Sequence, residues 1–75
     1  MTSCIIPKSK IEEVHIALSE YGGKKLVDIR SFMSFDGDEM KPTKKGVSLP
    51  IEKIDDIITG LTRIRNDATK LGWLK

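Results

Sequence analysis

The spacing of apolar residues is most regular in the last third of the chain. Apolar side chains recur there at alternating intervals of three and four residues, at Ile54, Ile57, Leu61, Ile64, Ala68 and Leu71, with Ile51 and Ile58 widening the stripe. This spacing is typical of an amphipathic α-helix. Pro50 suits its start and Gly72 its end. The sequence therefore predicts a long C-terminal helix, with a bend or a closely packed neighbour at Gly60, because glycine weakens a helix interior.

Residues 25–32 alternate with a period of two and are rich in β-forming side chains, so they predict a strand. Val27 and Ile29 would lie on one face of it, and Leu26, Asp28, Arg30 and Phe32 on the other. Residues 46–49 predict a short second strand with Val47 and Leu49 on an apolar face. The link at residues 34–42 contains Asp-Gly and Pro, which predicts a turn-rich connection.

Residues 11–20 fit two structures. As a helix, the segment has Ser9 as N-cap and Glu12 in a capping box. As a strand, it alternates apolar and other residues and runs into Gly22-Gly23, a hairpin signal. The local pattern leaves both open, and the hairpin is slightly favoured because two strands and one helix would leave sheet edges bare.

The apolar stripe of the helix also has two interpretations, since it can cover its own sheet or pack against a second subunit. A chain of 75 residues buries only about 60% of the surface that its unfolded form exposes. Such a chain is marginally stable without a disulfide, a bound metal or a partner subunit. One cysteine, Cys4, and one histidine, His15, cannot form an intramolecular disulfide or a zinc site. Self-association is the remaining way to stabilise the chain.

Composition and motifs argue against several classes of protein. No apolar run approaches the roughly 20 residues of a membrane span, and no signal peptide is visible, so one soluble intracellular domain is expected over residues 1–75. The acidic residues 36–39 lack the ligand spacing of a calcium loop. His15 has no nucleophile and carboxylate pattern around it. The sequence predicts no enzyme, no metal and no cofactor.

Basic and aromatic residues form the remaining pattern. The formal net charge is only +2, but residues 41–46 hold three lysines and no acid. Such a run is commonly a solvated loop. Cations and rings on a sheet are also what single-stranded nucleic acid requires, because lysines neutralise phosphates and rings stack on bases. The candidates on or beside strands are Tyr21, Lys24, Lys25, Arg30, Phe32, Lys41, Lys44 and Lys45.

Two stretches carry a family resemblance, Leu-Val-Asp-Ile-Arg at residues 26–30 and Glu-Met-Lys-Pro-Thr-Lys-Lys-Gly-Val-Ser-Leu at residues 39–49. With the long helix after them, they closely resemble the C-terminal DNA-binding domain of the transcriptional coactivator positive cofactor four and its bacterial relatives. The resemblance runs from about residue 14 to residue 71. It implies an α+β fold, a curved four-stranded antiparallel sheet followed by one long kinked C-terminal helix, forming a homodimer through the helices. It also implies a strand and hairpin at residues 14–24, a further strand near residues 3–6, and the helix kink at Gly60.

The resemblance further implies binding of single-stranded or unwound DNA with low sequence specificity. The nucleic-acid-binding residues it implies are Tyr21, Lys24, Arg30, Phe32, Met33, Lys41, Lys44 and Lys45, and the dimer interface Ile54, Ile57, Leu61, Ile64, Ala68 and Leu71. Met33 departs from the family, in which a tryptophan can occupy this position and stack on a base. The expected partners are single-stranded DNA, a second copy of the chain and the transcription machinery, with a location in the bacterial cytoplasm on the nucleoid, or in the nucleus of a eukaryote. RNA binding and a protein-interaction module of the transcription machinery stay open as alternatives.

Overall fold

The computed structural model describes residues 3–37 and 39–74. Its elements are β1 (Ser3–Pro7), β2 (Glu12–Tyr21), β3 (Lys24–Met33), β4 (Lys41–Pro50), a turn of 3₁₀ helix (Ile51–Lys53) and α1 (Ile54–Lys70). The four strands form one antiparallel sheet in the order β1-β2-β3-β4. The predicted four-stranded antiparallel sheet with one C-terminal helix is therefore confirmed.

The ambiguous segment at residues 11–20 is a strand. β2 turns into β3 through Gly22 and Gly23, which both have positive φ, at 59° and 80°. A two-residue hairpin turn of this kind has the twist that adjacent strands require, and glycine adopts it without steric cost. Tyr21 then lies directly opposite Lys24. The helical alternative for this segment is wrong.

β4 is longer than the sequence indicated, since it begins at Lys41 and not at residue 46. The prediction of a turn-rich connection is confirmed for residues 35–37 but wrong for residues 41–42, which pair with β3. Pro42 and a run of lysines have low intrinsic strand preference, so the local pattern indicated a loop. Among the described strands β4 pairs with β3 alone, and a proline is tolerated at such an edge because its missing N–H is not needed by a neighbour.

The two faces of β3 are as predicted. Val27 lies between Leu18 of β2 and Leu49 of β4 in the ladder, and its side chain is only 3% exposed. Residues directly opposite one another in an antiparallel sheet share a face, so these side chains form an apolar face. Ile54, at the start of α1, borders this face across an open cavity of about 140 Å³. The core of the described chain is centred on Val27.

Most of α1 lies away from the sheet. Ile58, Leu61 and Ile64 are 57%, 62% and 66% exposed, whereas Ile57 and Ala68 are half-buried. The radius of gyration is 14.6 Å, compared with about 11 Å for a compact domain of this length. A single chain therefore leaves the predicted interface stripe largely uncovered, and the homodimer stays a prediction.

α1 ends where the sequence predicted. The Trp73 N–H donates to the Ala68 carbonyl at 2.8 Å, and the Gly72 N–H donates to the Thr69 carbonyl at 3.1 Å. These two bonds form a Schellman motif, which satisfies carbonyls at the end of the helix. At Gly60 the helix continues without interruption, and an added Cβ would meet no described heavy atom within 4 Å. No close neighbour within the described chain thus explains this glycine, and the kink stays a prediction. No helix in the described residues is long and apolar enough to cross a membrane.

Candidate nucleic-acid interface

Four of the predicted nucleic-acid-binding residues lie on one face of the β2–β3 hairpin, opposite the apolar face. Tyr21 and Lys24 are paired at the turn, and Arg30 and Phe32 follow at even spacings along β3. The Tyr21 side chain is 80% exposed. The structure brings these four residues to one surface, which we call the polar face.

Met33 and Lys41 lie elsewhere. They are paired with each other, and the alternation along β3 places them on the apolar side of the sheet. Lys24 and Met33 are at opposite ends of β3, about 30 Å apart at 3.3 Å per residue. The predicted residues therefore do not share one flat face, and a ligand that touched all of them would pass around the end of the sheet.

Lys44 and Lys45 lie in a bulge of β4. Arg30 is paired with Gly46 and Phe32 with Pro42, so the single residue Ser31 faces three residues of β4. A bulge leaves residues unpaired and turns the strand away from its ladder. Both lysines are exposed there. The basic run is thus neither a solvated loop nor a regular strand.

Thr43 closes this bulge. Its hydroxyl donates to the Ser31 carbonyl at 2.8 Å and accepts the backbone N–H of Lys45 at 3.2 Å. Its own carbonyl accepts a bond from Nη1 of Arg30 at 2.9 Å. One residue therefore ties the bulged segment to β3 at two points.

Arg30 is held by a carboxylate as well as by the bulge. Its Nε and Nη2 donate to the two oxygens of Asp28 at 3.1 and 3.0 Å, and the Ser48 hydroxyl donates to the same carboxylate at 2.6 Å. These bonds, with the Arg30 bond first, lower the pKa of Asp28, and Asp28 in turn raises the pKa of Arg30. Both side chains are about one-quarter exposed or less. In the described chain, the guanidinium of Arg30 therefore binds mainly to other residues of the protein, Asp28 and Thr43.

Gly46 makes room for this arginine. A Cβ at position 46 would lie 2.6 Å from the Ile29 carbonyl oxygen, 2.9 Å from the Arg30 Cα and 3.1 Å from the Arg30 Cζ. Two of these atoms belong to the backbone and cannot move aside alone. The guanidinium carbon of Arg30 therefore lies close to the backbone of β4 where that strand carries no side chain.

The Phe32 ring is stacked on His15. The ring centroids are 3.6 Å apart with an interplanar angle of 6°. Nε2 of His15 lies 2.5 Å from a carboxylate oxygen of Glu13. One face of the predicted stacking residue is thus occupied, and a nucleic-acid base would have to use the other.

The lysines of the strands differ in their pairing. Lys25 forms an ion pair with Glu20 at 3.3 Å. Within the described residues the ammonium groups of Lys24, Lys41, Lys44 and Lys45 have no carboxylate within 4.0 Å. The four lysines predicted to bind nucleic acid are therefore available to external anions.

Lys45 also lies near Glu12. Hydrogen bonds from Ser31, at 2.6 Å, and from Lys8 lower the pKa of the Glu12 carboxyl group, and the charge of Lys45 contributes. The Glu12 carboxylate thus already binds Ser31 and Lys8. It partly offsets the positive potential at Lys45 but does not pair with it.

Sequence reasoning gave no role to Thr43 and Gly46, which shape the bulge, and did not single out the exposed ring of Phe35. Phe35, in the connection between β3 and β4, is 56% exposed and is followed by Asp36 with φ of 57°. An aromatic residue beside a turn signal was the available indication. Thr43 and Gly46 lie within the lysine-rich stretch at residues 39–49. Their roles become visible only when the register of β3 and β4 is known. Groups of three or more His, Cys, Asp or Glu side chains able to hold a metal ion are not found among residues 3–37 and 39–74.

Comparisons with known proteins place this fold in a family. The family model of Transcriptional Coactivator p15 (PC4) matches residues 8–59. A search of curated proteins finds no match. Because the family model covers more than half of the chain, the match extends well beyond the lysine motif.

Solved structures agree with that match. A PC4 homologue from Burkholderia pseudomallei superposes with a TM-score of 0.77 at 26% identity, over 83% of this chain and 84% of that chain. A bacteriophage T5 homologue of the eukaryotic coactivator PC4, implicated in recombination-dependent DNA replication, gives a TM-score of 0.76 at 29% identity, over 95% and 83%. MoSub1 in complex with DNA shares the fold, with a TM-score of 0.62 at 23% identity over 93% and 86%. The chain belongs to the family of transcriptional coactivator p15 (PC4).

Proposed function

We propose that this chain is a non-enzymatic, homodimeric protein that binds single-stranded DNA with low sequence specificity. The observation that carries the proposal is a set of strand lysines without a carboxylate partner among the described residues, Lys24, Lys41, Lys44 and Lys45, together with the exposed ring of Tyr21. Lysines that neutralise phosphates release counterions, and rings accept unpaired bases in any sequence. Such a surface favours a flexible single strand.

Family membership supports the same function. The match to the PC4 family covers the hairpin and the bulge that carry these residues. MoSub1, which shares the fold, has been crystallised with single-stranded DNA. The residues proposed as DNA contacts are Tyr21, Lys24, Phe32, Met33, Lys41, Lys44 and Lys45.

The homodimer is supported by the exposed stripe of α1. Leu61, Ile64 and Leu71 are each more than 60% exposed, on a chain whose buried core is small. Apolar surface of this extent is stabilised by a partner, and a strict three-four repeat suits a second helix. A second copy of the chain supplies such a helix.

Two processes are proposed for the DNA-binding activity. The family name favours transcription, as a coactivator or regulator acting with the transcription machinery. The bacteriophage T5 homologue is implicated in recombination-dependent DNA replication, which favours an accessory role in replication or repair. In either process the protein would act where DNA is unwound, on the nucleoid of a bacterium or in the nucleus of a eukaryote.

Fluorescence anisotropy tests the proposed activity. Labelled oligothymidylate, a duplex of equal length and oligouridylate are titrated with the protein at physiological salt. We expect the tightest binding to single-stranded DNA and a weaker affinity for the duplex. Equal affinity for both DNAs, or no binding to oligothymidylate, would contradict the proposal, and tighter binding to oligouridylate would assign the site to RNA.

A further inference from the structure

We propose that Arg30 is a positioning residue of the single-stranded DNA site and not a phosphate contact. Its guanidinium, anchored by Asp28, holds the Thr43 carbonyl and thereby fixes the bulge that presents Lys44 and Lys45. This inference rests on the proposed function, since it assigns roles within the same site. It revises the role that the family resemblance implied for this arginine.

The hydrogen bonds of Arg30 are the first argument. A guanidinium has five N–H donors, and three are directed to the Asp28 carboxylate and the Thr43 carbonyl, at 2.9 to 3.1 Å. A phosphate that approached Arg30 would also approach the charge of Asp28. The pair therefore presents little net positive charge to DNA.

The bulge is the second argument. Ser31 faces three residues of β4, so the regular ladder does not hold the backbone of this segment. The Arg30 bond to the Thr43 carbonyl and the Thr43 hydroxyl bonds to Ser31 and Lys45 supply the missing ties. Without them the two lysines lose their fixed position.

Gly46 is the third argument. It is paired with Arg30, and a Cβ there would lie 3.1 Å from the Arg30 Cζ. The side chain thus follows the surface of β4 toward Thr43, across a position that carries no side chain. This path leads along the sheet and not outward to a ligand.

Two substitutions distinguish the two possible roles of Arg30, because a phosphate contact and a positioning residue predict different changes in DNA affinity. Asp28→Asn removes a negative charge, so it would strengthen DNA binding and steepen its salt dependence if Arg30 contacted a phosphate. If Arg30 positions the bulge, Asp28→Asn weakens binding although the chain becomes more positive. Arg30→Lys keeps the charge but cannot bind Asp28 and Thr43 together in the same geometry, so it also weakens binding.

The expected loss of DNA affinity follows from the number of lysine–phosphate contacts that are lost. Each lost contact with a single strand removes about 0.7 from the slope of log K against log salt, which is roughly fourfold in affinity at 0.15 M salt. We expect Asp28→Asn and Arg30→Lys each to weaken binding about fourfold to fifteenfold, with a flatter slope. The double variant should be no weaker than either single variant, because both act on one unit.

The experiment is a salt titration of these variants by anisotropy with oligothymidylate, with folding checked by circular dichroism. Thr43→Val, which removes the hydroxyl bonds, and Thr43→Ser, which keeps them, form a matched pair on the bulge itself. Weaker binding of Thr43→Val with retention in Thr43→Ser supports the part of the proposal that requires a fixed bulge, and Arg30→Lys tests the role of Arg30 even if an Asp28 variant fails to fold. Tighter binding of folded Asp28→Asn or wild-type affinity of Arg30→Lys would overturn it. Failure of the wild-type protein to bind oligothymidylate would instead overturn the proposed function.

Discussion

The imidazole of His15 lies parallel to the ring of Phe32, with centroids 3.6 Å apart. Because His15 covers one side of the Phe32 ring, a base could stack only on the other side. We predict that Phe32→Ala weakens binding to oligothymidylate by about 1–3 kcal/mol, the range for loss of a base–aromatic stack. His15→Ala, measured as the matched control, removes the supporting ring and should cost less. Wild-type affinity of a folded Phe32→Ala protein in anisotropy titrations would exclude the ring from the site.

Tyr21 offers a cleaner test of stacking, because its side chain is 80% exposed and its loss removes little packing. We predict that Tyr21→Ala lowers affinity for single-stranded DNA by about 1–3 kcal/mol while the melting temperature stays near that of the wild type. Tyr21→Phe keeps the ring and should retain the affinity. If both variants bind as the wild type does, the hairpin turn lies outside the DNA path.

Lys44 and Lys45 are predicted to be phosphate contacts. The double substitution to alanine should flatten the slope of log K against log salt by about 1.4, at 0.7 for each contact with a single strand. The loss should be similar for different base sequences, since phosphates carry no sequence information. Lys53→Ala with Lys70→Ala, which removes the same charge from outside the sheet, is the control. An equal change of slope in both double variants would show that the effect comes from net charge and not from phosphate contacts of Lys44 and Lys45.

Much of the fold was predictable because its signals are local. The period of three and four residues in the stripe and the glycine after it predicted α1, and the alternation around Val27 predicted β3. The segment at residues 11–20 was different, since its residues fit a helix and a strand equally and the pairing that decides between them is a contact with β3. Family resemblance resolved it where local chemistry did not.

The candidate site was predictable in its residue types but not in its geometry. A run of lysines is visible in sequence, but the bulge depends on how many residues of β4 face Ser31, which is a relationship between two strands. For the same reason the sequence could not show that the guanidinium of Arg30 donates hydrogen bonds to Asp28 and Thr43. The exposed length of α1 is also a tertiary property, because periodicity does not show which element covers the stripe.

Ile64 tests the predicted dimer. Its side chain is 66% exposed in the single chain, so Ile64→Asp should have little effect on an isolated subunit. In a helix–helix interface it would bury an unpaired charge, which is strongly unfavourable. We therefore expect dissociation or unfolding, measured by light scattering and circular dichroism. Asn66→Asp adds the same charge off the stripe and should leave the dimer intact. A folded dimer of Ile64→Asp would place the interface elsewhere.

Asp28 and Glu12 predict how stability depends on pH. Hydrogen bonds lower the pKa of both carboxyl groups in the folded chain, chiefly from Arg30 to Asp28 and from Ser31 to Glu12. On acidification the unfolded chain binds these protons first, so the free energy of unfolding should be constant near neutral pH and fall from about pH 5 downward, through the lowered folded pKa values. Urea denaturation at a fixed protein concentration measures this dependence. Asp28→Asn should lower stability at pH 7 and flatten the acid limb. An equally steep acid limb in Asp28→Asn would show that the bonds to Arg30 and Ser48 do not stabilise the folded state.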